Sequence, residues 1–181
     1  MSSPGQPPPV KPVISMFLAR EDLAPAVMAH LTEYFGPPDL VGPFWPFTAS
    51  DYYTPEMGSD LRRRLVSFLH LAAPAQLANW KVFANQVEEH FSLGGRRTIN
   101  LDPGYLTAER LVLATGKDYA HRLYLAQGIL GDLTLIYRGG AFHPLPWTYP
   151  DYGWGELPGL LTSVRRKFLW QLQMMRQAAS P

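Results

Sequence analysis

The order of short apolar runs and amphipathic stretches constrains the fold of this chain more than any other feature of its sequence. Residues 13–19 are apolar and rich in strand-forming side chains, which predicts a buried strand. Residues 23–35 repeat apolar side chains at helical spacing, and the sequence Gly36-Pro37-Pro38 ends that pattern. Residues 74–91 carry a continuous apolar stripe and form the clearest predicted helix.

The remaining segments complete a mixed α+β pattern. We predict further strands at residues 40–47, 61–71, 97–101, 122–126 and 133–138, and for residues 61–71 a helix is the alternative. Gly139-Gly140 is typical of a hairpin turn, and residues 157–175 predict a C-terminal helix. The first hundred residues thus have the order β-α-β-β-α-β. This order predicts a ferredoxin-like antiparallel sheet with helices on one face, extended by a β-hairpin and the C-terminal helix.

Length and terminal composition predict one domain with a short tail. A chain of 181 residues fits a single domain. Residues 1–11 are rich in Pro, Ser, Gly and Gln and predict a disordered tail, which leaves residues 12–179 as the α+β domain. No apolar run reaches the roughly 18–20 residues of a membrane span, and no signal-peptide pattern begins the chain. We therefore expect a soluble, cytoplasmic protein without a membrane partner.

Composition and missing motifs exclude several classes of site. Sixteen basic against fifteen acidic residues exclude a polycation that coats nucleic acid, although a local basic patch stays open. The absence of cysteine excludes disulfide scaffolds, Cys-ligated zinc and thiol nucleophiles. Phosphate-loop, dinucleotide-binding and nucleophile-elbow motifs are absent as well. The spacings of acidic residues and histidines match no metal-ligand rule, so we predict no metal site, and the cofactor stays unknown.

The segment 96–105 is the most suggestive of four polar clusters. Its alternation places Asn100 and Asp102 on the polar face of a strand, and Pro103-Gly104 suits a type II turn. We predict Asp102 as an acid/base residue and Arg97, Asn100 and Tyr105 as ligand-binding residues, because strand ends and turns present reactive groups. In the alternative interpretation, Asp102 caps its own turn.

The segment 117–122 places two cations beside two groups capable of proton transfer. Asp118 can hold His121 in one tautomer and leave its other nitrogen free as a base, so both are predicted catalytic residues. Lys117 and Arg122 are predicted to bind a phosphate or carboxylate. The alternative is a solvated turn with weak surface ion pairs.

Two aromatic loops supply the remaining candidates. Segment 50–58 contains Asp51, Tyr53 and Glu56, and segment 145–152 places Tyr149 among prolines and other aromatic residues. We predict all four as ligand-binding residues, with the tyrosines as walls of a pocket. The alternatives are a capped, aromatic-packed loop for the first segment and a loop that covers the open end of the core for the second.

Four motifs together carry a resemblance to a known family. They are PFTASDYYTPEMG (residues 46–58), INLDPGYLT (99–107), KDYAHRLYL (117–125) and LPWTYPDY (145–152). With these motifs the chain resembles a family of small bacterial and archaeal proteins described as a domain of unknown function, over roughly residues 11–168. The resemblance implies a soluble, single-domain prokaryotic protein. It assigns no activity, cofactor or site residue.

The four clusters predict a pocket for a phosphate- or carboxylate-bearing small molecule, of which a nucleotide is one example. Arg97, Lys117 and Arg122 would bind the anion, and the acid/base residues would support hydrolysis or lyase chemistry. One alternative is an RNA-binding or regulatory module, and another is a protein-interaction module without catalysis. Whether the protein is an enzyme stays open. All of these interpretations depend on whether the clusters converge in space.

Overall fold

The fold is a mixed α/β arrangement around one antiparallel sheet. The computed structural model describes residues 3–48, 53–153 and 155–178. Within these residues it contains nine strands: β1 (Lys11–Leu18), β2 (Pro38–Val41), β3 (Trp45–Pro46), β4 (Arg62–Phe68), β5 (Ile99–Leu106), β6 (Arg110–Thr115), β7 (Arg122–Ala126), β8 (Ile129–Arg138) and β9 (Ala141–Pro144). Its four α-helices are α1 (Ala24–Phe35), α2 (Thr54–Met57), α3 (Leu77–His90) and α4 (Leu157–Ala178).

The strands follow the order β2-β4-β1-β5-β6-β8-β7 across the sheet, with β3 paired to β4 and β9 paired to β8. Strand β1 lies between β4 and β5, and all the pairings are antiparallel. Among the helices in the described ranges, none is both long enough and apolar enough to cross a membrane.

Helices cover both faces of the sheet. Side chains alternate along a strand, so β1 sends Ile14, Met16 and Leu18 into one core and Val13 into another. The first core also contains the apolar stripes of α1 and α3, and the second contains Leu161 and the rest of the buried face of α4. On the second face, α4 leaves part of the sheet for the polar residues that form the candidate site.

The α+β class, the antiparallel sheet and the C-terminal helix are confirmed, and the predicted hairpin is formed by β8 and β9. The ferredoxin-like order is not confirmed. The sheet continues beyond β5, and α4 covers its second face. Strand β6 was not predicted. Strand β1 begins at Lys11, inside the predicted tail, because the buried Lys11 ammonium pairs with Asp39 and donates to Gln171 Oε1 at 2.8 Å.

The predicted turn at Pro103-Gly104 is wrong, because both residues lie inside β5. Pro103 is opposite Ile14 on β1, and pairing with β6 begins only at Gly104. The edge of β5 at Pro103 therefore requires no backbone N–H. Gly104 allows a close approach of the two strands, since a Cβ there would lie 2.5 Å from the carbonyl oxygen of Val112.

Candidate functional site

A cavity of about 370 Å³ opens where β5 and β6 separate. The β5–β6 ladder covers only residues 104–106, so residues 99–103 have β1 on one side and no strand on the other. Asn100 and Asp102 of β5 form part of one wall, and residues 113–117 at the end of β6 contribute to another. The volume lies within the range of small-molecule sites.

Helix α3 satisfies the open edge of β5 with two side chains. Lys81 Nζ donates to the carbonyl oxygen of Leu101 at 2.8 Å, and the Leu101 N–H donates to Glu88 Oε1 at 2.8 Å. Lys81 and Glu88 lie seven residues apart, which is two helical turns, so they share one helix face. Both are buried. They occupy the backbone groups that a neighbouring strand would otherwise pair, and the split in the sheet stays open.

Arg97 reaches the cavity with its donors largely occupied inside the protein. Its Nε and Nη2 atoms donate to the two carboxylate oxygens of Glu56 at 2.8 and 2.6 Å, and Nη1 donates to Asn100 Oδ1 at 3.0 Å. The hydrogen bonds between Arg97 and Glu56 raise the pKa of Arg97 and lower the pKa of Glu56. Arg97 is therefore placed to orient Asn100.

Asp102 is the carboxylate that retains hydrogen-bonding capacity in this wall. Asn100 Nδ2 donates to Asp102 Oδ2 at 3.0 Å, and Lys81 Nζ lies 3.9 Å from Oδ1, beyond hydrogen-bond distance. The side chain of Asp102 is 25% exposed and lines the cavity. Because Arg97 holds the Asn100 amide, the Asp102 carboxylate is also held in a fixed orientation.

The opposite wall centres on Arg122 and Asp132. Arg122 Nε donates to Asp132 Oδ2 at 2.8 Å, and Nη1 donates to the carbonyl oxygen of Lys117 at 2.9 Å. Among the described residues, Nη2 has no hydrogen-bond partner. Asp132 also accepts a hydrogen bond from the Thr134 hydroxyl at 3.3 Å. Arg122, Asp132 and Lys117 all line the cavity, so this wall presents cationic donors.

The predicted pairing of His121 with Asp118 is wrong, because His121 contacts Asp132 instead. His121 Nε2 lies 3.3 Å from Asp132 Oδ2, and the imidazole stacks on Trp147 with ring centres 5.1 Å apart. Asp118 is exposed and lies outside the cavity lining. The antiparallel pairing of β7 with β8 brings Asp132 opposite Arg122, which sequence proximity could not indicate. His121 lies behind Asp132 and Trp147, outside the cavity lining itself.

The inner end of the cavity contains aromatic rings around buried polar groups. Arg63 is 1% exposed, donates from Nε to Ser15 Oγ at 2.9 Å and pairs with Asp151. Its guanidinium carbon lies 4.3 Å from the centre of the Tyr152 ring. Burial raises the pKa of Asp151, and burial also raises the pKa of the Tyr53 phenol.

The structure brings together seven of the predicted residues in the cavity lining: Tyr53, Arg97, Asn100, Asp102, Lys117, Arg122 and Tyr149. Glu56 and His121 lie behind lining residues as partners of Arg97 and Asp132. Asp51 lies outside the described residues.

Tyr105 is misplaced by the prediction. It packs against the core under α1 and α3, while Asp102 faces the other side of the sheet. The reason is that β5 continues through Pro103-Gly104, so strand alternation sends residues 102 and 105 to opposite faces.

Sequence reasoning missed several lining residues that carry polar chemistry, among them Lys81, Glu88, Asp132, Thr134, Asp151 and Tyr152. The last two belong to the LPWTYPDY motif and could have been selected with Tyr149. Lys81 and Glu88 resemble the solvated side of an amphipathic helix, and no local signal marks them. Within the described ranges, no group of three His, Asp or Glu side chains could hold a metal ion.

Comparisons with known proteins identify a family without an assigned activity. No curated protein matches the chain, and no solved structure matches it. One family model covers residues 8–168, a range that contains all four motifs. The resemblance seen in the motifs is thereby confirmed. The chain belongs to the family described as domain of unknown function DUF4416.

Proposed function

We propose that the cavity between β5 and β6 binds a small organic anion that carries a phosphate or a carboxylate. The observation that carries the proposal is the Arg122 guanidinium, which lines the cavity and keeps Nη2 without a partner among the described residues. The Arg122 side chain is only 4% exposed, yet Nη2 is not closed off from solvent, so a ligand in the cavity can reach it. A ligand oxygen at Nη2 would form a charge-assisted hydrogen bond.

Lys117 adds a second cation to the same wall. Its backbone carbonyl accepts a hydrogen bond from Arg122, which holds the Lys117 backbone beside Arg122, and both residues line the cavity. Arg97 is not part of the proposed anion site, since Glu56, Glu88 and Asn100 already accept its hydrogen bonds. In this assignment Arg122 and Lys117 bind the ligand, whereas Arg97 orients Asn100.

The aromatic residues of the cavity favour a ligand with a ring or hydrocarbon portion. Trp147 and Tyr149 are 40% and 51% exposed, and both line the cavity. Phe17 and Phe47 form an edge-to-face pair in the lining. Such surfaces bury the apolar part of a small molecule, while a few polar groups fix its orientation. Asp102 is the acid/base residue of the proposal if the bound molecule undergoes hydrolysis or lyase-type proton transfer.

Ligand-dependent thermal stability tests this function. Inorganic phosphate, glycerol 3-phosphate, AMP and citrate are added separately to the wild-type protein and to Lys117→Gln. We expect at least one anion to stabilise the wild type, by about 2.7 kcal/mol at a hundredfold excess over its Kd. Lys117→Gln should weaken that anion about tenfold, because it removes one cation from the site.

Arg166→Gln is the matched control for this experiment. It also removes one cation, but Arg166 is exposed on α4 and lies outside the cavity lining. The control should respond to each anion as the wild type does. An absence of stabilisation by all four anions, or equal weakening in both variants, would contradict the proposed function.

A further inference from the structure

The inner end of the cavity contains a buried phenol without a hydrogen-bond partner. Tyr152 is 4% exposed and lines the cavity, and no described residue meets hydrogen-bond geometry with its hydroxyl. Burial raises the pKa of the Tyr152 phenol, and the Asp102 carboxylate adds to this rise, while the Arg63 cation and the neighbouring Ser15 hydroxyl, which favour the phenolate, oppose it. The hydroxyl is therefore protonated at neutral pH. A buried hydroxyl in this state lacks a group to which it can donate.

Asp102 supplies an acceptor at the same end of the cavity. Asn100 occupies its Oδ2 atom, while Oδ1 has no neighbour within hydrogen-bond distance among the described residues. Ser15 is opposite Asp102 in the β1–β5 ladder, and the Ser15 hydroxyl accepts a hydrogen bond from Arg63. Since Arg63 lies over the Tyr152 ring, Asp102 and Tyr152 belong to one polar cluster.

The chemistry of these two groups selects what can bind between them. The Asp102 carboxylate only accepts hydrogen bonds, whereas the Tyr152 phenol is protonated and can donate one. A ligand hydroxyl satisfies both groups, because it donates to the carboxylate and accepts from the phenol. An ammonium group cannot accept from the phenol, and a hydrocarbon can do neither.

We propose that the ligand is a hydroxylated phosphate or carboxylate, such as a polyol or sugar derivative, with one hydroxyl bound between Asp102 and Tyr152. This inference rests on the proposed function, in which Arg122 and Lys117 bind the anionic group. The two ends of the ligand then contact the two walls of the split sheet. The cavity recognises the anion on the β7–β8 side and the hydroxyl on the β5 side.

Matched ligand pairs test the inference by titration calorimetry at pH 7. Glycerol 3-phosphate, propyl phosphate and 3-aminopropyl phosphate share a three-carbon chain and differ in the groups that they present to Asp102 and Tyr152. We expect the wild type to bind glycerol 3-phosphate about tenfold more tightly than propyl phosphate, because a hydrogen bond to a charged group typically contributes this much. Glycerate and propanoate provide the same comparison for a carboxylate.

Two variants test whether Asp102 and Tyr152 cause the preference for a hydroxylated ligand. Asp102→Asn and Tyr152→Phe should each reduce the preference for glycerol 3-phosphate over propyl phosphate to within about twofold, whereas Asp118→Asn should keep the full preference. Tyr152→Phe removes one buried oxygen and keeps the ring, so this variant should fold about as stably as the wild type. Asp118→Asn is the control for Asp102→Asn, since it removes an exposed carboxylate outside the cavity.

The possible failures are distinguishable. Equal affinity of the wild type for glycerol 3-phosphate and propyl phosphate would overturn the hydroxyl inference and leave the anion proposal intact. Tighter binding of 3-aminopropyl phosphate than of glycerol 3-phosphate would overturn it in favour of an ammonium-bearing ligand. A full preference for hydroxyls in both variants would also overturn it. If none of the phosphates and carboxylates binds, the proposed function itself fails.

Discussion

At the scale of single residues, the chemistry of the cavity depends on which hydrogen bonds are already formed inside the protein. Arg97 and Arg122 are both guanidinium groups in the lining, yet they differ in what they offer to a ligand. Glu56 and Asn100 occupy Arg97, whereas Arg122 keeps one nitrogen without a described partner. The hydrogen bond from Arg97 to Asn100 also fixes the amide that holds Asp102. Residue type alone therefore does not assign a role.

Gly104 gives a residue-scale prediction about stability. In Gly104→Ala, the new methyl group would lie 2.5 Å from the Val112 carbonyl oxygen and 2.6 Å from the Leu113 side chain. The two strands must separate to accept it, so we expect a loss of about 1–3 kcal/mol in the free energy of unfolding, measured with urea. Gly116→Ala is the control, because a Cβ at Gly116 meets no heavy atom within 4 Å. A similar small change in both variants would contradict the close approach of β5 and β6.

At the scale of elements, a helix takes the place of a strand along part of β5. Lys81 and Glu88 of α3 form the hydrogen bonds that a continuing β6 would form with Leu101. An unpaired buried backbone group is costly, so the split in the sheet depends on these two side chains. The protein tolerates these two buried charges because each has an oppositely charged partner and a backbone partner.

The paired variants Glu88→Ala and Glu89→Ala test this role of α3. Both replace a glutamate by alanine in the same helix, so helix propensity changes equally. Glu88→Ala leaves the Leu101 N–H without its acceptor and should lower the free energy of unfolding by about 2–3 kcal/mol. Glu89 is exposed, and its replacement should change stability by less than about 0.5 kcal/mol. Urea denaturation measures both, and equal losses would refute the proposed role of Glu88.

The four clusters converge to different degrees, and the reason is geometric. The segments 96–102, 117–122 and 145–152 contribute several lining residues, because the strand order brings β5, β6 and β8 around the split, whereas segment 50–58 contributes Tyr53 from its described part. Tyr105 could not be placed correctly from the sequence, since the position of a turn changes which face of the sheet a residue occupies. Asp132 could not be chosen as the partner of His121, since only the β7–β8 register brings it there.

At the scale of the whole molecule, the first strand and the last helix meet on one buried carboxylate. Asp39 of β2 pairs with Lys11 of β1 and with Lys167 of α4, and it accepts a hydrogen bond from the Ser67 hydroxyl at 2.6 Å. Burial favours the neutral acid, but the hydrogen bonds from Lys11 and Ser67 outweigh it and lower the pKa of Asp39. This cluster joins the first strand, the sheet edge and the last helix.

The Asp39 cluster predicts a defined pH dependence of stability. Because the folded-state pKa of Asp39 lies below its unfolded value of about 3.9, the contribution of Asp39 is fully present above that value. It is lost as the pH falls through the folded-state pKa. At pH 7, Asp39→Asn should be about 3 kcal/mol less stable than the wild type, since Lys11 loses its buried partner. Unfolding measured from pH 7 down to pH 2 should show this difference shrinking below about pH 4, whereas a constant difference would contradict the assignment.

The amino-acid sequence by itself determined the α+β class, the hairpin, the C-terminal helix and the resemblance to the family. These features depend on local periodicity and on turn residues, which neighbouring positions specify. Only the tertiary structure decided which charged groups meet. The partner of His121, the occupation of Arg97 by Glu56 and the use of α3 side chains along β5 all join residues from separate elements. Those contacts follow from strand order and register, because a hydrogen bond requires atoms to lie about 3 Å apart in space, whatever their separation along the chain.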